Sequence, residues 1–351
     1  MIIPNNLLIV RTDRIGDVIL SLPLVDFIKQ KYPSCRITFL LRSYTSALAI
    51  NYEGIDEVLE LIEENGKPNF WQNVKMLRKK KIDAVIVVYP TFLLSLIIFL
   101  SGIKNRIGTG YRWYSFFFNK KVYEHRKTAE RHELEYNLNL LKQINIHQAI
   151  DEKSANFHLT ISDTVRTKVL SKLTQKGIKL DRRIIIVHPG SGGSAVDLPI
   201  NKMIKLMGLL SELDCYIFIS GSKSETSLCQ QLIVKENVIN FAGELELSEL
   251  VALIDLSIIF IGNSTGPLHI AAALDKYVIG FYPKILACSP KRWGPYTEKK
   301  MVVMPEIACS NCDRQQCERL NCMDSINLNN VFANVQKIYK LHSNNGDFHA
   351  E

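Results

Sequence analysis

Several signatures that would fix a function directly are missing from this sequence. It contains no G-x-x-x-x-G-K-[ST] segment and no G-x-G-x-x-G segment, so the P-loop and the dinucleotide-binding fingerprint are both absent. No internal repeat is visible. No module typical of nucleic-acid binding is present, and we expect no nucleic-acid partner. Any phosphate-binding site must therefore be sought in other loops.

Long hydrophobic runs are scarce as well. The first apolar run, Leu7–Val10, is short, follows no basic segment and ends at Arg11, so we expect no secretory signal peptide. Residues 84–103 carry no charge and are long enough to span a bilayer. Pro90 and Ser95 interrupt this stretch, and we interpret it as a buried strand, a turn and an apolar helix. A transmembrane span is the alternative.

Composition and charge indicate a globular protein with one basic half. The 351 residues are enough for two domains, and 47% of them are hydrophobic and 22% charged. Residues 1–150 carry 21 Lys and Arg against 14 Asp and Glu, a net charge of +7, whereas residues 151–351 carry 22 against 21. This excess suits a phosphorylated substrate, an anionic membrane surface or nucleic acid. Ordinary solubility explains it equally well.

Strand-like and helix-like runs alternate along the chain, which is typical of α/β folds with parallel sheets. We predict two doubly wound, Rossmann-like domains that bind ligands at the carboxyl ends of their strands. One helix is predicted over residues 18–31, and the polar stretch 149–183 is predicted to connect the two domains. The predicted divisions are an N-terminal domain at 1–160, a C-terminal domain at 161–325, a last helix at 326–342 and a frayed tail at 343–351.

The most informative segment is a strand, a polar turn and a helix start within residues 257–274. An apolar run stops at Gly262, and Pro267 opens an alanine-rich helix after the turn Ser264-Thr265-Gly266. Backbone N–H groups and the helix dipole at such a junction attract phosphate. His269 falls in the first helical turn, within reach of the same anion.

A second candidate site follows the first strand, in the segment Arg11-Thr12-Asp13-Arg14-Ile15-Gly16-Asp17. Its glycine permits a tight turn, and Asp17 lies at a helix start, where a carboxylate is stabilised. A carboxylate there suits a general base, with Asp13 as the competing candidate. Arg11 and Arg14 suit phosphate binding. The plainer interpretation of Asp17 is a helix N-cap.

Two further loops suit a nucleotide. Residues 188–194, His-Pro-Gly-Ser-Gly-Gly-Ser, follow an apolar strand and offer backbone N–H groups to a phosphate. A plain glycine-rich turn is equally consistent. Glu225 follows another strand and suits ribose hydroxyls, although an acidic helix cap explains it as well.

Cysteines are few and unevenly placed. Four of the eight are Cys309, Cys312, Cys317 and Cys322. Without a secretion signal, such a cluster favours a metal site over disulfides, and four thiolates suit a structural zinc or iron centre. The spacing is shorter than in common zinc ribbons, so a cluster without metal is the alternative.

The segment 106–127 combines aromatic and basic residues, among them Arg112 and Trp113. This combination suits a membrane interface or an anionic amphiphile. It would equally pack a loop onto the sheet. Arg112 is the residue of this segment that we assign to acceptor or phosphate binding.

Taken in this order, these segments resemble those of glycosyltransferase family 9, the bacterial ADP-heptose:lipopolysaccharide heptosyltransferases. The Gly16-Asp17 turn, the loop 188–194, the Gly262–His269 motif and the cysteine cluster each look like a family motif. The resemblance implies the GT-B fold, two Rossmann-like domains facing a cleft. The first domain would bind the acceptor, the second would bind the nucleotide-sugar, and the last helix, 326–342, would pack back on the first domain.

The resemblance also implies residue roles. Asp17 matches the family's catalytic base, which takes the acceptor proton without a metal or another cofactor. Asp13 and Arg14 join Arg112 at the acceptor or phosphate site. The donor would contact Ser191, Gly192, Gly193, Glu225 beside the ribose, Leu245 beside the adenine, Ser264, Thr265, Gly266 and His269.

Two departures from the family pattern stand out. Ser264 occupies a position where the family often has Asp, and residues 195–199, Ala-Val-Asp-Leu-Pro, lack the Lys or Arg that often precedes a Trp-Pro pair. A phosphate-binding cation is therefore missing near Val196. The candidates to replace it are Lys202, Lys223, Arg14 and Arg292.

The leading hypothesis is an inverting transfer of heptose from ADP-heptose to the inner core of lipopolysaccharide, an anionic glycolipid. The enzyme would be cytoplasmic and peripheral at the inner membrane. One alternative is a GT-B transferase that uses another nucleotide-sugar, or a protein or glycan acceptor. The other is a nucleotide-sugar-binding protein without turnover, against which the presence of Asp17 argues.

Overall fold

In the computed structural model, the chain forms two compact units, Met1–Thr160 and Ile161–Glu351. The structure describes residues 3–309 and 312–344. Each unit is built on a six-stranded sheet with helical crossovers between the strands.

The strands of the N-terminal unit are β1 (Asn6–Val10), β2 (Arg36–Leu41), β3 (Glu57–Glu60), β4 (Glu63–Glu64), β5 (Lys67–Pro68), β6 (Ala84–Val87), β7 (Asn105–Thr109) and β8 (Lys120–Val122). The main sheet has the order β3-β2-β1-β6-β7-β8, and all its neighbouring strands are parallel. Strands β4 and β5 form a separate antiparallel pair. The helices are α1 (Ile15–Ile19), α2 (Pro23–Lys31), α3 (Ser43–Ser46), α4 (Phe70–Lys79), α5 (Phe92–Leu100) and α6 (Glu133–Asn139).

The C-terminal unit repeats this plan. Its strands are β9 (Arg183–His188), β10 (Cys215–Ile219), β11 (Val238–Asn240), β12 (Ile259–Asn263), β13 (Tyr277–Phe281) and β14 (Lys300–Val303). They pair in the parallel order β11-β10-β9-β12-β13-β14. The helices are α7 (Asp163–Gln175), α8 (Ile200–Leu210), α9 (Thr226–Gln230), α10 (Leu247–Asp255), α11 (Gly266–Ala273), α12 (Pro290–Trp293), α13 (Arg314–Arg319) and α14 (Leu328–Asn344).

The uncharged stretch 84–103 forms strand β6 and the nine-residue helix α5, as predicted. All four residues of β6 are buried, because the strand lies between β1 and β7 in the middle of the sheet. Among the residues that the structure describes, no helix is both long enough and apolar enough to cross a membrane.

Two helix predictions need correction. The run 18–31 was expected to form one helix, but it forms the end of α1 and all of α2. Pro23 lies in the first turn of α2, where its missing N–H costs nothing, so the helix restarts there. The polar connection at 149–183 contains α7, a helix of 13 residues in which only Val169 and Leu173 are buried.

The last helix, α14, packs in the C-terminal unit. It buries Val331, Val335 and Ile338 together with residues of α8 such as Met203 and Met207. Its apolar face therefore contributes to this unit's core. The expectation that it crosses back to the N-terminal domain stays a prediction, and the tail predicted to fray, 343–351, lies almost entirely outside the described residues.

Both sheets reverse their strand order at one place, between β1 and β6 and between β9 and β12. Ligands of open α/β sheets bind beyond the carboxyl ends of the strands at such a point. The loops that follow β1 and β9 are therefore the first places to look for a site.

Candidate active site

The loop after β1 is organised around a buried arginine. Arg11 is only 1% exposed. Its Nε donates to Asp13 Oδ1 at 2.7 Å, its Nη2 forms an ion pair with Asp17, and its Nη1 donates to Asn137 Oδ1 at 3.3 Å. Glu133 Oε1 lies 3.5 Å from the same Nη1. One guanidinium is thus shared among three carboxylates.

These charges compensate one another's burial. A buried ion is costly unless it is paired and hydrogen-bonded. Burial alone would lower the pKa of Arg11, but the charges of Asp13, Asp17 and Glu133 outweigh burial and raise it. Arg126 forms a second ion pair with Glu133 and donates to Asn137 Oδ1 at 3.1 Å.

The two candidate bases lie side by side in this cluster, and the side chains of Asp13 and Asp17 are each 14% exposed. Burial raises the pKa of Asp13 to about 7; Arg11 opposes this shift and Asp17 adds to it. Asp17 lies in the first turn of α1, but the N-cap of that helix is Arg14. The plain N-cap interpretation of Asp17 is therefore wrong, since its carboxylate pairs with Arg11 instead.

The other predicted acceptor residues lie in loops at the same edge of the sheet. Arg14 is exposed at the start of α1. Arg112 is exposed in the loop after β7, where its backbone N–H donates to Ser115 Oγ at 3.0 Å. The structure shows no contact of either side chain with the Arg11 cluster among the described residues.

In the C-terminal unit, the loop after β9 has a backbone that requires glycine. Gly192 and Gly193 are exposed and have φ values of +56° and +77°. At Gly190, an added Cβ would lie 1.8 Å from Glu225 Oε1. His188 is buried, with Nδ1 2.9 Å from Ser220 Oγ. Burial, opposed by the charge of Glu225, lowers the pKa of His188 to about 4, so the ring is neutral at neutral pH.

Glu225 touches this loop while capping its own helical turn. Its Oε2 accepts from Ser222 N at 2.8 Å, and the Ser222 side chain accepts from the Glu225 backbone in return, which forms a capping box. Ser222 Oγ also donates to Glu225 Oε2 at 2.7 Å. Burial works against the ionised form, but the hydrogen bonds from the Ser222 backbone and side chain outweigh it and lower the pKa of Glu225. Glu225 therefore acts as a helix cap in the structure, and its contact with a ribose stays a prediction.

A second loop, after β12, is tied to the first by side-chain hydrogen bonds of Asn263 and Ser194, two residues with no individual role predicted from the sequence. Asn263 donates to Pro189 O at 2.5 Å and accepts from Leu198 N at 2.9 Å. Ser194 Oγ donates to Ser264 O at 2.8 Å. Asn263 is a polar residue at the end of a buried strand, and this position is the sequence signal that could have identified it.

The remaining predicted donor residues lie at this same edge. Ser264 and Thr265 are 9% exposed and His269 is 5% exposed, and α11 begins at Gly266. Burial raises the pKa of the Tyr282 phenol, and the Ser264 side chain opposes this shift. Leu245 is half-buried in the loop between β11 and α10. The structure thus brings the donor residues to four loops at the carboxyl edge of one sheet.

The cations proposed to replace the missing one near Val196 are engaged or exposed elsewhere. Lys202 Nζ donates to Ile326 O at 3.0 Å, and the Arg292 guanidinium lies 4.8 Å from the Trp293 ring centroid. The side chain of Lys223 is exposed. Arg314, which the sequence analysis did not consider, instead donates from Nη2 to Gly193 O at 2.9 Å and to Ala195 O at 3.0 Å.

The cysteine cluster lies beside α13. Cys317 and Cys322 are each 1% exposed, and Cys309 Sγ lies 3.6 Å from Cys312 Sγ. Burial, followed by the neighbouring thiols, raises the pKa of Cys317 to about 12. Within residues 3–309 and 312–344, no group of three or more Cys, His, Asp or Glu side chains has the arrangement of a metal site. A structural zinc or iron therefore stays a prediction.

Known proteins resemble this chain in sequence. The sequence model of glycosyltransferase family 9 (heptosyltransferase) matches residues 70–323. A candidate glycosyltransferase of Haemophilus influenzae is 28% identical over 303 residues, which cover 84% of this chain and 87% of the relative. Lipopolysaccharide heptosyltransferase 3 of Escherichia coli K12 is 23% identical over 294 residues, 81% of this chain and 83% of the relative.

Solved structures resemble it in fold. A family 9 glycosyl transferase from Veillonella parvula has a TM-score of 0.81 at 17% identity, covering 95% of this chain and 97% of that one. The E. coli ADP-heptose lipopolysaccharide heptosyltransferase II has a TM-score of 0.78 at 18% identity, covering 96% and 99%. These likenesses and the two parallel sheets confirm the predicted GT-B fold class. The family model matches well over half of this chain's length. The chain is therefore a glycosyltransferase and belongs to glycosyltransferase family 9.

Proposed function

We propose that this enzyme transfers heptose from ADP-heptose to the inner core of lipopolysaccharide, inverting the anomeric carbon, with Asp17 as the general base. The observation that carries the proposal is the partly exposed Asp17 carboxylate, which a buried arginine holds at the carboxyl edge of the first sheet. The names of the E. coli relatives, lipopolysaccharide heptosyltransferase 3 and ADP-heptose lipopolysaccharide heptosyltransferase II, support this donor and acceptor.

The proposed step is a single displacement. Asp17 takes the proton of the acceptor hydroxyl while that oxygen bonds to the anomeric carbon of the donor. The bond between this carbon and the β-phosphate oxygen breaks on the opposite face, and ADP leaves with the electron pair. Attack opposite the leaving group inverts the configuration. Proton transfer to a positioned base contributes about 10²- to 10⁴-fold to such a rate.

Arg11 fixes the position of the Asp17 carboxylate for this role. Here the same guanidinium also serves Asp13 and Glu133. Asp17 is therefore held in position by a guanidinium that it shares with two other carboxylates.

The donor diphosphate would bind in the C-terminal unit. The exposed Gly192 and Gly193 and the start of α11 offer backbone N–H groups where charge develops on the leaving group. Hydrogen bonds through Asn263 and Ser194 fix the two loops to each other. Such preorganised donors stabilise a departing diphosphate without reorganising during the reaction.

The test is acceptor-dependent release of ADP. Purified enzyme is incubated with ADP-heptose and a lipopolysaccharide acceptor that lacks inner-core heptose, and the product linkage is assigned by NMR. We expect ADP release only with acceptor, and a linkage opposite in configuration to the donor. A retained configuration would contradict the single displacement, and binding without transfer would favour a protein that has lost turnover.

A different nucleotide-sugar is the second candidate, and one observation favours it: residues 188–199 contain no Lys or Arg. A thermal-shift panel of nucleotide-sugars separates the two, because a ligand that binds the folded state raises the melting temperature. A larger rise in melting temperature with another nucleotide-sugar than with ADP-heptose would identify that nucleotide-sugar as the donor. The fold and the proposed base would be unaffected.

The N-terminal unit also carries a surface suited to a membrane. Phe92, Phe99, Trp113 and Phe116 are 41%, 41%, 74% and 62% exposed. They form one aromatic patch, because Phe92 stacks on Trp113 at 5.0 Å and Phe117 links the others at 4.3 to 5.9 Å between ring centroids.

This aromatic patch lies in the most basic part of the chain. Residues 65–123 contain 11 Lys and Arg but a single acidic residue, Asp83. Asp83 is occupied, since its Oδ2 accepts from the backbone N–H groups of Asn5 and Asn6. Aromatic rings flanked by cations suit an anionic bilayer surface. The enzyme would therefore work in the cytoplasm, peripherally at the inner membrane, where its glycolipid acceptor lies.

Vesicle sedimentation tests this surface. Wild type should sediment with vesicles that contain anionic lipid and not with neutral ones. Phe116→Ser should weaken this binding severalfold, whereas Ile50→Ser, at a residue with a matching 60% exposure outside the patch, should not. Equal losses in both variants, or binding to neither vesicle, would contradict the membrane surface.

A further inference from the structure

The two loops of the proposed donor site carry no positively charged side chain that could bind a diphosphate. Residues 188–199 and 262–274 contain no Lys or Arg. Asp197 adds a carboxylate instead, and its buried Oδ1 has no hydrogen-bond partner among the residues that the structure describes. A diphosphate held by backbone N–H groups alone would meet no full positive charge in these two loops.

Arg314 brings a positive charge to this loop from more than a hundred residues further along the chain. Its Nη2 donates to Gly193 O and to Ala195 O, at 2.9 and 3.0 Å. Its side chain remains 47% exposed, so the guanidinium is anchored at one nitrogen and open to solvent elsewhere. Two acidic side chains interact with it. Glu318 Oε1 lies 3.6 Å from Nη1, and the charge of Arg314 opposes the burial that raises the pKa of Asp197.

The position of Arg314 is fixed by its helix. Asp313 caps α13 by accepting from Gln316 N at 2.7 Å, and Cys317 is buried in the core of the C-terminal unit. A cation in the first turn of a helix is disfavoured by the helix dipole. Local helix stability therefore does not explain an arginine here, whereas the loop carbonyls do.

We propose that Arg314 is the cation that binds the donor's diphosphate and replaces the one missing near Val196. This assignment rests on the donor site of the proposed function. The two hydrogen bonds to the loop carbonyls hold the guanidinium beside Gly192 and Gly193, whose backbone is free of side chains that would block a phosphate. A fixed guanidinium matches the geometry of phosphate oxygens.

The experiment measures nucleotide affinity by calorimetry, with ADP and adenosine as probes. Arg314→Gln removes the charge and keeps an N–H donor for the loop. It should weaken ADP binding by about 10- to 100-fold and leave adenosine binding within about twofold. Arg314→Lys should recover most of the ADP affinity. Arg319→Gln, the same change at an exposed arginine of the same helix, should bind both probes like wild type.

Three results would overturn the assignment. Unchanged ADP binding in Arg314→Gln would show that the charge does not act on the diphosphate. An equal loss for ADP and adenosine would indicate a general collapse of the site. A loss in Arg314→Lys as large as in Arg314→Gln would make Arg314 a structural tie of the loop. Because binding and not transfer is measured, failure of the proposed heptose transfer would not affect the outcome.

Discussion

The loops that follow β1 and β9 occupy equivalent places in two sheets of the same topology, yet they are built from opposite chemistry. The loop after β1 concentrates charge, with Arg11 buried among Asp13, Asp17 and Glu133. The loop after β9 has no cation of its own and relies on glycines and on hydrogen bonds between loops. Under the proposed function, this position serves proton transfer in the first unit and anion binding in the second.

The roles that we propose for the two loops explain this difference. A base needs a side chain whose charge is set by its neighbours, and buried charges supply such neighbours. A diphosphate needs close approach of the backbone, which side chains would prevent. The first loop should therefore be sensitive to changes of charge and the second to changes of volume.

The largest effect should come from breaking the charged cluster. Arg11→Met would leave Asp13, Asp17 and Glu133 without their shared partner, and we expect a loss of about 3–5 kcal/mol in the free energy of unfolding. Urea unfolding measures it. Arg14→Met, at an exposed arginine three residues away, should change stability by no more than about 0.5 kcal/mol. Similar small losses in both would refute the shared cluster.

The glycine loop should respond to volume. In Gly190→Ala, the new Cβ would displace the Glu225 carboxylate, which lies 1.8 Å away, and disrupt the capping box with Ser222. We expect a loss of about 1–2 kcal/mol in thermal or urea unfolding. Gly208→Ala is the control, since its Cβ meets nothing within 4 Å in α8 and should stabilise the helix by about 0.5–1 kcal/mol. Equal changes in the free energy of unfolding in the two variants would contradict the close approach of Glu225 to Gly190.

The smallest effect should be the pH dependence that Asp13 of the first loop contributes to stability. Because burial raises the pKa of Asp13 from 3.8 to about 7, the folded protein keeps a proton that the unfolded chain loses. Stability from this group is full below about pH 4 and is lost as the pH rises through about 7. Wild type should therefore lose stability relative to Asp13→Asn between pH 5 and about 7 in urea titrations. Glu53→Gln, at an 82% exposed side chain, should show no such trend.

The sheets were predictable because their strands are short apolar runs between polar turns, such as β6 and β12, which are buried along their whole length. The sequence signals for two of the helices were weaker. Helix α7 buries only two residues, so its polar sequence was interpreted as a connection. The break before α2 was signalled by Pro23 and should have been predicted.

The candidate site was predictable only where one segment contains all of it. Asp17 and the glycine loop follow strands directly, so local sequence was enough to select them. The partners of Arg11 at Glu133 and Asn137 are more than a hundred residues away, as is Arg314 from its loop. Only the fold brings such groups together, and no local pattern marks them.

The most direct test of the account is the turnover of Asp17→Asn. Steady-state transfer from ADP-heptose is compared with wild type, while ADP affinity and melting temperature are measured on the same samples. The account predicts a turnover about 10²- to 10⁴-fold lower, with ADP affinity within about threefold of wild type, because the base and the donor site lie in different loops. Turnover within tenfold of wild type would contradict Asp17 as the base.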